Sequence, residues 1–279
     1  MHNFYNNKSL RMRTFVINLN SSKLHMAEMN QRLTEMNLAY ERMPAVNGSQ
    51  LSTEELHSFY QPALNKQLYR RPLSAGEIGC YMSHRNCWMK IREQQLNAAL
   101  ILEDDAEMSD QLSALLSNIE RIQQPWDIIK LCDPPKKKAL FDSVQLHIDF
   151  NLCLYKKVPS RATGYVVSLN GAKKLLEARK HFARPVDDDM QFYWEYSGNI
   201  FGVEPSPIWN AQSSLESDID NSGSRKSGKT FVSLFKGPFL KLKYEFQRIK
   251  HNRKRGDLAS YQIDNTVPGA SDSASKLPA

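Results

Sequence analysis

An uninterrupted apolar run, AALIL at residues 98–102, constrains the fold most, because it stops abruptly at Glu103, Asp104 and Asp105. A continuous apolar run of this length predicts a central strand of a parallel sheet, buried on both faces. In open α/β sheets the ligand crevice lies beyond the carboxyl ends of the strands, so we expect these carboxylates at such a crevice. A divalent cation with oxygen ligands would compensate their mutual repulsion. A solvated acidic turn before a helix is the alternative, and the triplet alone leaves both interpretations open.

The regions around this run alternate between strand and helix patterns, which indicates an α/β layered domain. Residues 13–19 (RTFVINL) are rich in β-branched and aromatic residues, as strands are. Apolar residues then recur at helical spacing over residues 23–36. Ser74 and Glu77 form an S-x-x-E capping box, which predicts a helix that runs to about residue 95.

Shorter segments continue the same alternation. We expect strands at 39–43, 126–131, 162–169 and 200–203, a hairpin within 144–157, and helices at 51–60, 109–122, 170–180 and 185–196. Residues 61–72 are polar and arginine-rich, which is typical of a loop. The chain then divides into four parts, which are an N-terminal extension at 1–12, one domain at 13–235, a basic helix at 236–255 and a disordered tail at 256–279.

The basic residues are concentrated in that helix. The net charge is +7, and residues 236–255 account for all of it, with eight Lys or Arg against a single Glu. Phe239, Leu242, Phe246 and Ile249 follow at spacings of 3, 4 and 3, on one face of a helix. One apolar and one cationic face are typical of a helix on an anionic membrane surface. The alternative is a helix that packs on the domain through its apolar face. Nucleic acid is not expected, because no recognised nucleic-acid motif is present.

Three other polar clusters could contribute chemistry, although each also fits an ordinary structural role. Asp187 and Asp188, within PVDDD, could supply a general base for an attacking hydroxyl, or simply complement the dipole of a helix that starts at Pro185. His84, within SHRN, could bind phosphate or sugar, or be a satisfied structural histidine. The polar loop at 216–222 could cover a sugar or complete a metal site, or be a turn.

Cysteine usage and the apolar runs predict the cellular setting. The cysteines form no C-x-x-C pair, so we expect small buried apolar side chains and no zinc or redox motif. They are Cys80, Cys87, Cys132 and Cys153. Residues 1–13 lack the apolar core of a signal peptide, and no apolar run approaches the roughly 20 residues that cross a bilayer. We therefore expect a cytoplasmic protein.

In their order along the chain, these segments resemble glycosyltransferase family 25, the bacterial lipooligosaccharide glycosyltransferases, which are related to collagen galactosyltransferases. The resemblance covers residues 15–222. Its segments are VINL (16–19), AVNG (45–48), GEIGC (76–80) with Ser83, His84 and Trp88, LILEDD (100–105), GYVVS (164–168) with GA (171–172) and LL (175–176), PVD (185–187) and SD (217–218). Asn47 stands where the family commonly has Asp, so we assign it no charge-dependent role.

The resemblance implies a GT-A-like fold, with a mixed, mainly parallel central sheet flanked by helices, and inverting transfer from a nucleotide sugar. It implies that Glu103 and Asp105 bind Mn²⁺ (or Mg²⁺), which would neutralise the leaving diphosphate. Asp187 is then the general base, with Asp188 as the nearby substitute. The residues expected at the donor or acceptor are Asn18, Glu77, Ser83, His84, Asp104, Ser217 and Asp218.

The expected donor is UDP-galactose, and the expected acceptor is a hydroxyl of a growing lipooligosaccharide or lipopolysaccharide, which would receive a β-linked galactose. The basic helix would then hold the protein at the inner face of the cytoplasmic membrane. Glucosyl or N-acetylglucosaminyl transfer by the same fold is one alternative. A metal-dependent phosphoryl or nucleotidyl hydrolase is another, and it predicts donor consumption without an acceptor. A non-catalytic, membrane-docked binding module predicts glycan or lipid binding without donor turnover.

Overall fold

The fold is an eight-stranded sheet with helices on both faces and a separate two-stranded sheet. A computed structural model describes residues 12–132, 139–210, 231–253 and 258. The strands are β1 (Arg13–Asn18), β2 (Glu41–Pro44), β3 (Ala98–Glu103), β4 (Ala106–Met108), β5 (Ile128–Lys130), β6 (Leu140–Gln145), β7 (Asn151–Tyr155), β8 (Gly164–Ser168), β9 (Ile200–Glu204) and β10 (Ile208–Asn210). The α-helices are α1 (Lys23–Glu35), α2 (Thr53–Phe59), α3 (Pro62–Leu68), α4 (Ala75–Glu93), α5 (Leu112–Glu120), α6 (Leu169–Ala178), α7 (Val186–Asp189) and α8 (Phe231–Asn252), with 3₁₀ turns at Gly48–Gln50 and Tyr193–Glu195.

The strand order of the large sheet is β2-β1-β3-β8-β5-β9-β7-β6. Strand β1 is parallel to both β2 and β3, and β5 is parallel to β9, whereas β8 runs antiparallel between β3 and β5. Because β7 is antiparallel to both β9 and β6, all strands of this sheet except β7 and β8 point in one direction. The expected α/β fold with a mixed, mainly parallel sheet flanked by helices is therefore confirmed, as in a GT-A-like fold.

Strands β1 and β3 are buried on both faces, as the apolar run predicted for β3. Phe15 and Ile101 belong to the core under α4 and α6, while Val16 and Leu100 belong to the core under α1 and α5. All four side chains are fully buried. Burial on both faces explains why the sequence of β3 shows no alternation of apolar and polar residues.

Helix α4 begins where the capping box predicted. The Ser74 hydroxyl accepts from the Glu77 N–H at 3.2 Å, and the Glu77 carboxylate accepts from the Ser74 N–H at 2.8 Å. The same arrangement starts α2 at Ser52 and Glu55. Each box satisfies donors that the first turn of a helix leaves without an intrahelical partner.

Three regions differ from the expectation. The predicted loop at 61–72 contains α3, whose first residue Pro62 has the fixed φ that suits a first helical turn. The predicted helix at 185–196 is instead the single turn α7 followed by the turn at Tyr193–Glu195. Strands β4 and β10 were not predicted, because a three-residue strand carries little periodic signal.

Helix α8 packs on the domain through polar and aromatic side chains, not through its apolar face. Tyr244 is buried, and its hydroxyl donates to Gln191 Oε1 at 3.2 Å. Asn252 is buried, accepts from the Tyr193 hydroxyl at 2.7 Å and donates to the Lys156 carbonyl at 2.8 Å. The four apolar residues of the predicted face point outward and are 48–71% exposed; they are Phe239 (66%), Leu242 (71%), Phe246 (66%) and Ile249 (48%). The alternative in which this face packs on the domain is wrong.

Most of the predicted extension at 1–12 and most of the predicted tail at 256–279 lie outside the described residues. Leu258 is described and buried, and its N–H donates to Asp142 Oδ2 at 2.7 Å. Among the described helices, none is long and apolar enough to cross a membrane.

Candidate active site

The acidic triplet lies at the carboxyl end of β3, beside the carboxyl end of β1. Glu103 is the last residue of β3, and Asp104 and Asp105 form the turn that leads to β4. The three carboxylates line a cavity of about 260 Å³, together with residues from β1, α4 and the loop after β2. This is the position at which open α/β sheets bind ligands, so the sequence placed the triplet correctly.

Glu103 is held by a chain of buried hydrogen bonds. His84 is fully buried, and its Nε2 lies 3.3 Å from Glu103 Oε1, while its Nδ1 lies 3.0 Å from the Tyr165 hydroxyl. The Trp88 N–H donates to the same hydroxyl at 2.9 Å, so Tyr165 can donate to His84 Nδ1 and His84 Nε2–H to Glu103. Burial raises the pKa of Glu103, but the hydrogen bonds from His84, Thr163 and Cys80 outweigh it and hold this pKa below its ordinary value.

Cys80 corrects the expectation that every cysteine is simply a buried apolar side chain. Cys87, Cys132 and Cys153 are buried as expected, whereas Cys80 is half-buried and its thiol lies 3.8 Å from Glu103 Oε1. Burial first, and then the charge of Glu103, raise the pKa of the Cys80 thiol well above its ordinary value. Cys80, His84 and Glu103 therefore bring three metal-ligating side chains within 4.8 Å of one another.

Asp105 has an unsatisfied oxygen. Its Oδ2 accepts from Asn210 Nδ2 at 2.9 Å, but its Oδ1 is buried and no donor among the described residues reaches it. Burial, and then the charges of Glu103 and Asp104, raise the pKa of Asp105. Asn210, at the end of β10, is itself held by Arg161 and Thr163, which both donate to its Oδ1.

Asp104 is tied to the first strand. Asn18 Nδ2 donates to Asp104 Oδ2 at 2.5 Å, and Arg42 Nε donates to Asn18 Oδ1 at 2.8 Å. His25 Nδ1 lies 4.0 Å from Asp104. Burial raises the pKa of Asp104 despite the hydrogen bond from Asn18. Asn18 and Asp104 were both predicted at the donor. Asp104 lines the triplet cavity, whereas Asn18 does not line it and holds Asp104 from behind.

A divalent cation fits this arrangement. Desolvation raises the pKa of both Asp104 and Asp105, which means that their charged forms lack compensation from the protein. The unpartnered Oδ1 of Asp105 is an oxygen ligand of the kind that Mn²⁺ and Mg²⁺ prefer, and Glu103 lies two residues away on the same cavity wall. Glu103 and Asp105 could hold the metal, with His84 and Asn210 orienting them from behind.

Asp187 is the second carboxylate of interest. It lies in α7, and the Asp188 N–H donates to its Oδ1 at 2.9 Å. Burial, and then the charge of Asp188, raise the pKa of Asp187 to about 6, and the charge of Glu103 adds to the increase. The charge of Glu103 thus reaches Asp187 although the two are separated by more than 80 residues of sequence, but Asp187 does not itself line the triplet cavity. A carboxyl with such a pKa can accept a proton near neutral pH.

The three aspartates of PVDDD have different partners. Asp188 accepts from the Tyr69 hydroxyl at 2.8 Å and lies in the wall of a second cavity, next to α8. Asp189 is buried and accepts from Arg179 at 2.7 Å, Arg184 at 2.8 Å and Tyr81 at 2.7 Å. Asp189 is therefore structural and fixes the position of α7.

Sequence comparison agrees with this geometry. The sequence profile of glycosyltransferase family 25, described as an LPS biosynthesis protein family, matches residues 12–190. The chain belongs to glycosyltransferase family 25. Human procollagen galactosyltransferase 2 is 30% identical over 222 residues, which are 70% of this chain and 34% of that protein. Procollagen galactosyltransferase 1-A of Xenopus laevis is 33% identical over 213 residues (68% and 34%).

A glycosyltransferase 25 family member of Drosophila melanogaster is 30% identical over 205 residues, which are 71% of this chain and 33% of that protein. The chain thus spans about a third of the length of these relatives.

Two family 25 segments pack against each other. The turn after AVN and the first turns of α4 approach so closely that a Cβ on Gly79 would lie 2.4 Å from the Val46 carbonyl oxygen. A Cβ on Gly48 would lie 1.8 Å from the Ala75 carbonyl oxygen. Ser83 joins the same contact, since its hydroxyl accepts from the Val46 N–H at 2.8 Å. Ser83 also lines the triplet cavity, and its contact with a donor or acceptor stays a prediction.

Glu77 has a different setting. Its carboxylate accepts from Arg71 at 2.6 and 2.7 Å and caps α4, and these partners hold the pKa of Glu77 below its ordinary value against the effect of burial. Glu77 does not line the triplet cavity, so its contact with a donor stays a prediction. Ser217 and Asp218 lie outside the described residues.

Sequence reasoning missed Cys80, Tyr165, Lys130 and Asn210. A signal was present for Cys80, because Cys80 and His84 are four residues apart and therefore share one face of α4. The buried Lys130 of β5 donates to the Arg161 carbonyl, and its charge lowers the pKa of Asp187. Nothing local marks Asn210, which meets Asp105 across 105 residues of sequence.

Proposed function

We propose that this protein is a metal-dependent, inverting hexosyltransferase that moves galactose from UDP-galactose onto a sugar hydroxyl. The observation that carries the proposal is the buried, unpartnered Oδ1 of Asp105 beside Glu103, with Asp187 nearby as a carboxyl of raised pKa. Such a transfer needs two carboxylates that can bind a hard divalent cation and a third carboxylate that can accept a proton.

Glu103 and Asp105 would hold Mn²⁺ or Mg²⁺, which supplies charge neutralisation for the diphosphate as it leaves. Neighbouring residues of the chain hold the three carboxylates of the triplet in position. His84 and Cys80 keep Glu103 ionised and oriented, Asn210 orients Asp105, and Asn18 fixes Asp104 where it can reach the nucleotide. Preorganised ligands of this kind need little rearrangement when the donor binds.

Asp187 would act as the general base. Its carboxylate takes the proton of the acceptor hydroxyl as the hydroxyl oxygen forms a bond to the anomeric carbon and the bond from that carbon to the diphosphate oxygen breaks. One displacement inverts the anomeric centre, so an α-linked donor gives a β-linked product. Asp188 is the substitute, although its carboxylate already accepts a hydrogen bond from the Tyr69 hydroxyl.

The choice of galactose rests on the names of the relatives, and that of lipooligosaccharide or lipopolysaccharide rests on the description of the family. Glucosyl or N-acetylglucosaminyl transfer by the same site is the alternative. A phosphoryl or nucleotidyl hydrolase uses similar acids, but it would not need Asp187 next to a hydroxyl acceptor.

Helix α8 supports attachment to an anionic membrane at its cytoplasmic face. Its outward face exposes four large apolar residues in one stripe, which we call the α8 stripe (Phe239, Leu242, Phe246 and Ile249). Lys243 and Lys250 lie one turn from stripe residues and therefore border it. Exposed apolar residues bordered by lysines are typical of a helix that lies in a membrane interface.

One experiment tests the proposed function directly. The protein is incubated with Mn²⁺, UDP-galactose, UDP-glucose or UDP-N-acetylglucosamine, and a library of oligosaccharides, and products are analysed by mass spectrometry and NMR. We expect acceptor-dependent consumption of UDP-galactose and a new β-anomeric signal. Equal consumption without an acceptor would favour the hydrolase, and binding without turnover would favour a non-catalytic module.

A further inference from the structure

A second, larger cavity lies between α8 and the segment that carries α7. Its volume is about 510 Å³, within the range of about 300–1,000 Å³ typical of ligand sites. Asp188, the sequence neighbour of Asp187, lies in its wall and accepts from the Tyr69 hydroxyl. Residues of α8 form the opposite wall, with Leu240, Lys241 and Tyr244 among them. We call this space the α8 cavity.

The α8 cavity carries an excess of positive charge. Its walls contain five cationic side chains and two carboxylates; the cations are Arg70, Lys157, Arg184, Lys241 and Lys243, and the carboxylates are Asp188 and Glu195. Arg184 is already paired with Asp189 and Glu195, and Lys157 Nζ lies 3.8 Å from Glu245.

The remaining cations of the cavity are Arg70, Lys241 and Lys243. Within the part of the chain that the structure describes, no carboxylate lies within ion-pair distance of any of them. Arg70 lies 5.9 Å from the centre of the Tyr69 ring instead. These three charges are available to a ligand, and they favour one that is anionic.

Aromatic rings form the rest of the walls. Tyr69, Phe192, Trp194 and Tyr244 all line the cavity, and Trp194 lies 5.4 Å from Tyr244, centre to centre. Trp194 is also stacked on His251 of α8 at 5.7 Å, which holds the indole in place. Rigid aromatic surfaces with a few charged groups at the rim suit the apolar C–H faces of a pyranose ring that carries a charged substituent.

We propose that the α8 cavity binds an anionic saccharide, namely the phosphate- or carboxylate-bearing part of the acceptor glycan. The inference rests on the proposed transfer reaction, because it takes Asp187 and Asp188 to mark the acceptor side of the site. Since the inner face of α8 lines this cavity and its outer face carries the α8 stripe, the same helix can hold a glycolipid's sugars while its other face lies on the membrane.

Binding of defined disaccharides tests the inference without any need for turnover. Titration calorimetry would measure lactose, lactose 6-phosphate, cellobiouronic acid and inorganic phosphate against the full chain and against the double variant Arg70→Glu/Lys241→Glu. We expect at least one charged disaccharide to bind about tenfold or more tightly than both lactose and inorganic phosphate, and the double variant to lose that preference.

The matched control is Lys66→Glu/Lys173→Glu, which makes the same charge change at exposed lysines outside the cavity. This control should keep the preference for the charged disaccharide. Equal affinity for lactose and both charged disaccharides, equal affinity for inorganic phosphate, or an equal loss in the control would overturn the inference.

Binding of UDP distinguishes a failure of this inference from a failure of the proposed function. Binding of UDP in the presence of Mn²⁺ should be the same in the wild type and in Arg70→Glu/Lys241→Glu, because neither residue lines the triplet cavity. Intact UDP binding with no saccharide preference would overturn the α8 cavity assignment alone. Absence of metal-dependent UDP binding in the wild type would instead overturn the proposed function.

Discussion

The three carboxylates of the triplet have the same chemistry but three different environments. Glu103 receives hydrogen bonds from His84 and Cys80 and is stabilised as an anion, while burial raises the pKa of both Asp104 and Asp105. The sequence predicts where these acids lie, because an apolar run ends directly before them. It does not predict their partners, since Asn18, His84 and Asn210 come from three distant elements.

His84 is a positioning residue for Glu103, and its substitution tests that role. His84→Phe removes the only ring N–H that reaches Glu103 among the described residues, so we expect Mn²⁺ affinity to fall about 10–100-fold. His84→Gln, whose amide can donate to Glu103, should retain more affinity than His84→Phe. Calorimetry measures both, with melting temperatures to check folding. Equal losses in the two variants would show that His84 matters only for packing.

The raised pKa of Asp187 predicts the acidic limit of activity. The base form is the carboxylate, so the transfer rate should fall as the pH drops through the pKa of Asp187, which is about 6. A divalent cation bound nearby favours the carboxylate and can only move this limit to lower pH. The pH profile of kcat measures it, and an acidic limb centred well above 6 would contradict the assignment.

Asp187→Asn removes the proton acceptor while keeping the size of the side chain. We expect kcat to fall about 10²–10⁴-fold with nearly unchanged binding of UDP. Asp110→Asn is the control, because Asp110 is exposed and does not line the triplet cavity. Activity retained in Asp187→Asn but lost in Asp188→Asn would transfer the role of the base to Asp188.

At the scale of secondary-structure elements, the strands and helices with strong periodicity were predicted within a few residues. Strands β1 and β3 and helix α4 are examples, because burial on both faces or a capping box marks them in the sequence. Strands β4 and β10 were missed, since each has three residues and pairs with a strand that is far away in the sequence. The face of α8 that packs was also missed, because apolar periodicity alone does not say which face finds a partner.

The contact between AVNG and α4 gives a prediction for stability. Gly79→Ala places a Cβ against the Val46 carbonyl oxygen, which is backbone and can move only with its turn. We expect a loss of about 1–3 kcal/mol in the free energy of unfolding. Glu177→Ala in α6 is the control, because Glu177 is exposed and alanine favours a helix. Chemical denaturation measures both, and an equal effect would contradict the close approach.

The α8 stripe predicts membrane binding. Phe239→Glu/Phe246→Glu should abolish co-sedimentation with vesicles that contain anionic phosphatidylglycerol, because it places charges in the interface. Leu24→Glu/Ile148→Glu makes the same change at exposed residues elsewhere and should bind as the wild type does. Point variants are preferable to deletion of the helix, since α8 also walls a cavity. Vesicle binding unchanged by the stripe variant would rule out this role.

At the scale of the whole molecule, the fold class and the family follow from the order of segments along the chain. No single segment decides either, but the apolar run, the capping box and PVD occur in the order of family 25. The two cavities could not be predicted, because each joins elements that are far apart in sequence. The α8 cavity in particular depends on a helix that lies beyond the part of the chain matched by the family.

The central proposal is a divalent metal held by Glu103 and Asp105. The most direct measurement is calorimetric binding of UDP with and without Mn²⁺, in the wild type, in Asp105→Asn and in the control Asp110→Asn. We expect Mn²⁺ to increase UDP affinity in the wild type and the control but not in Asp105→Asn. Asp105→Asn should melt no lower than the wild type, because it removes a buried charge whose pKa is raised. Mn²⁺-dependent UDP binding of wild-type strength in Asp105→Asn would contradict the proposed metal site.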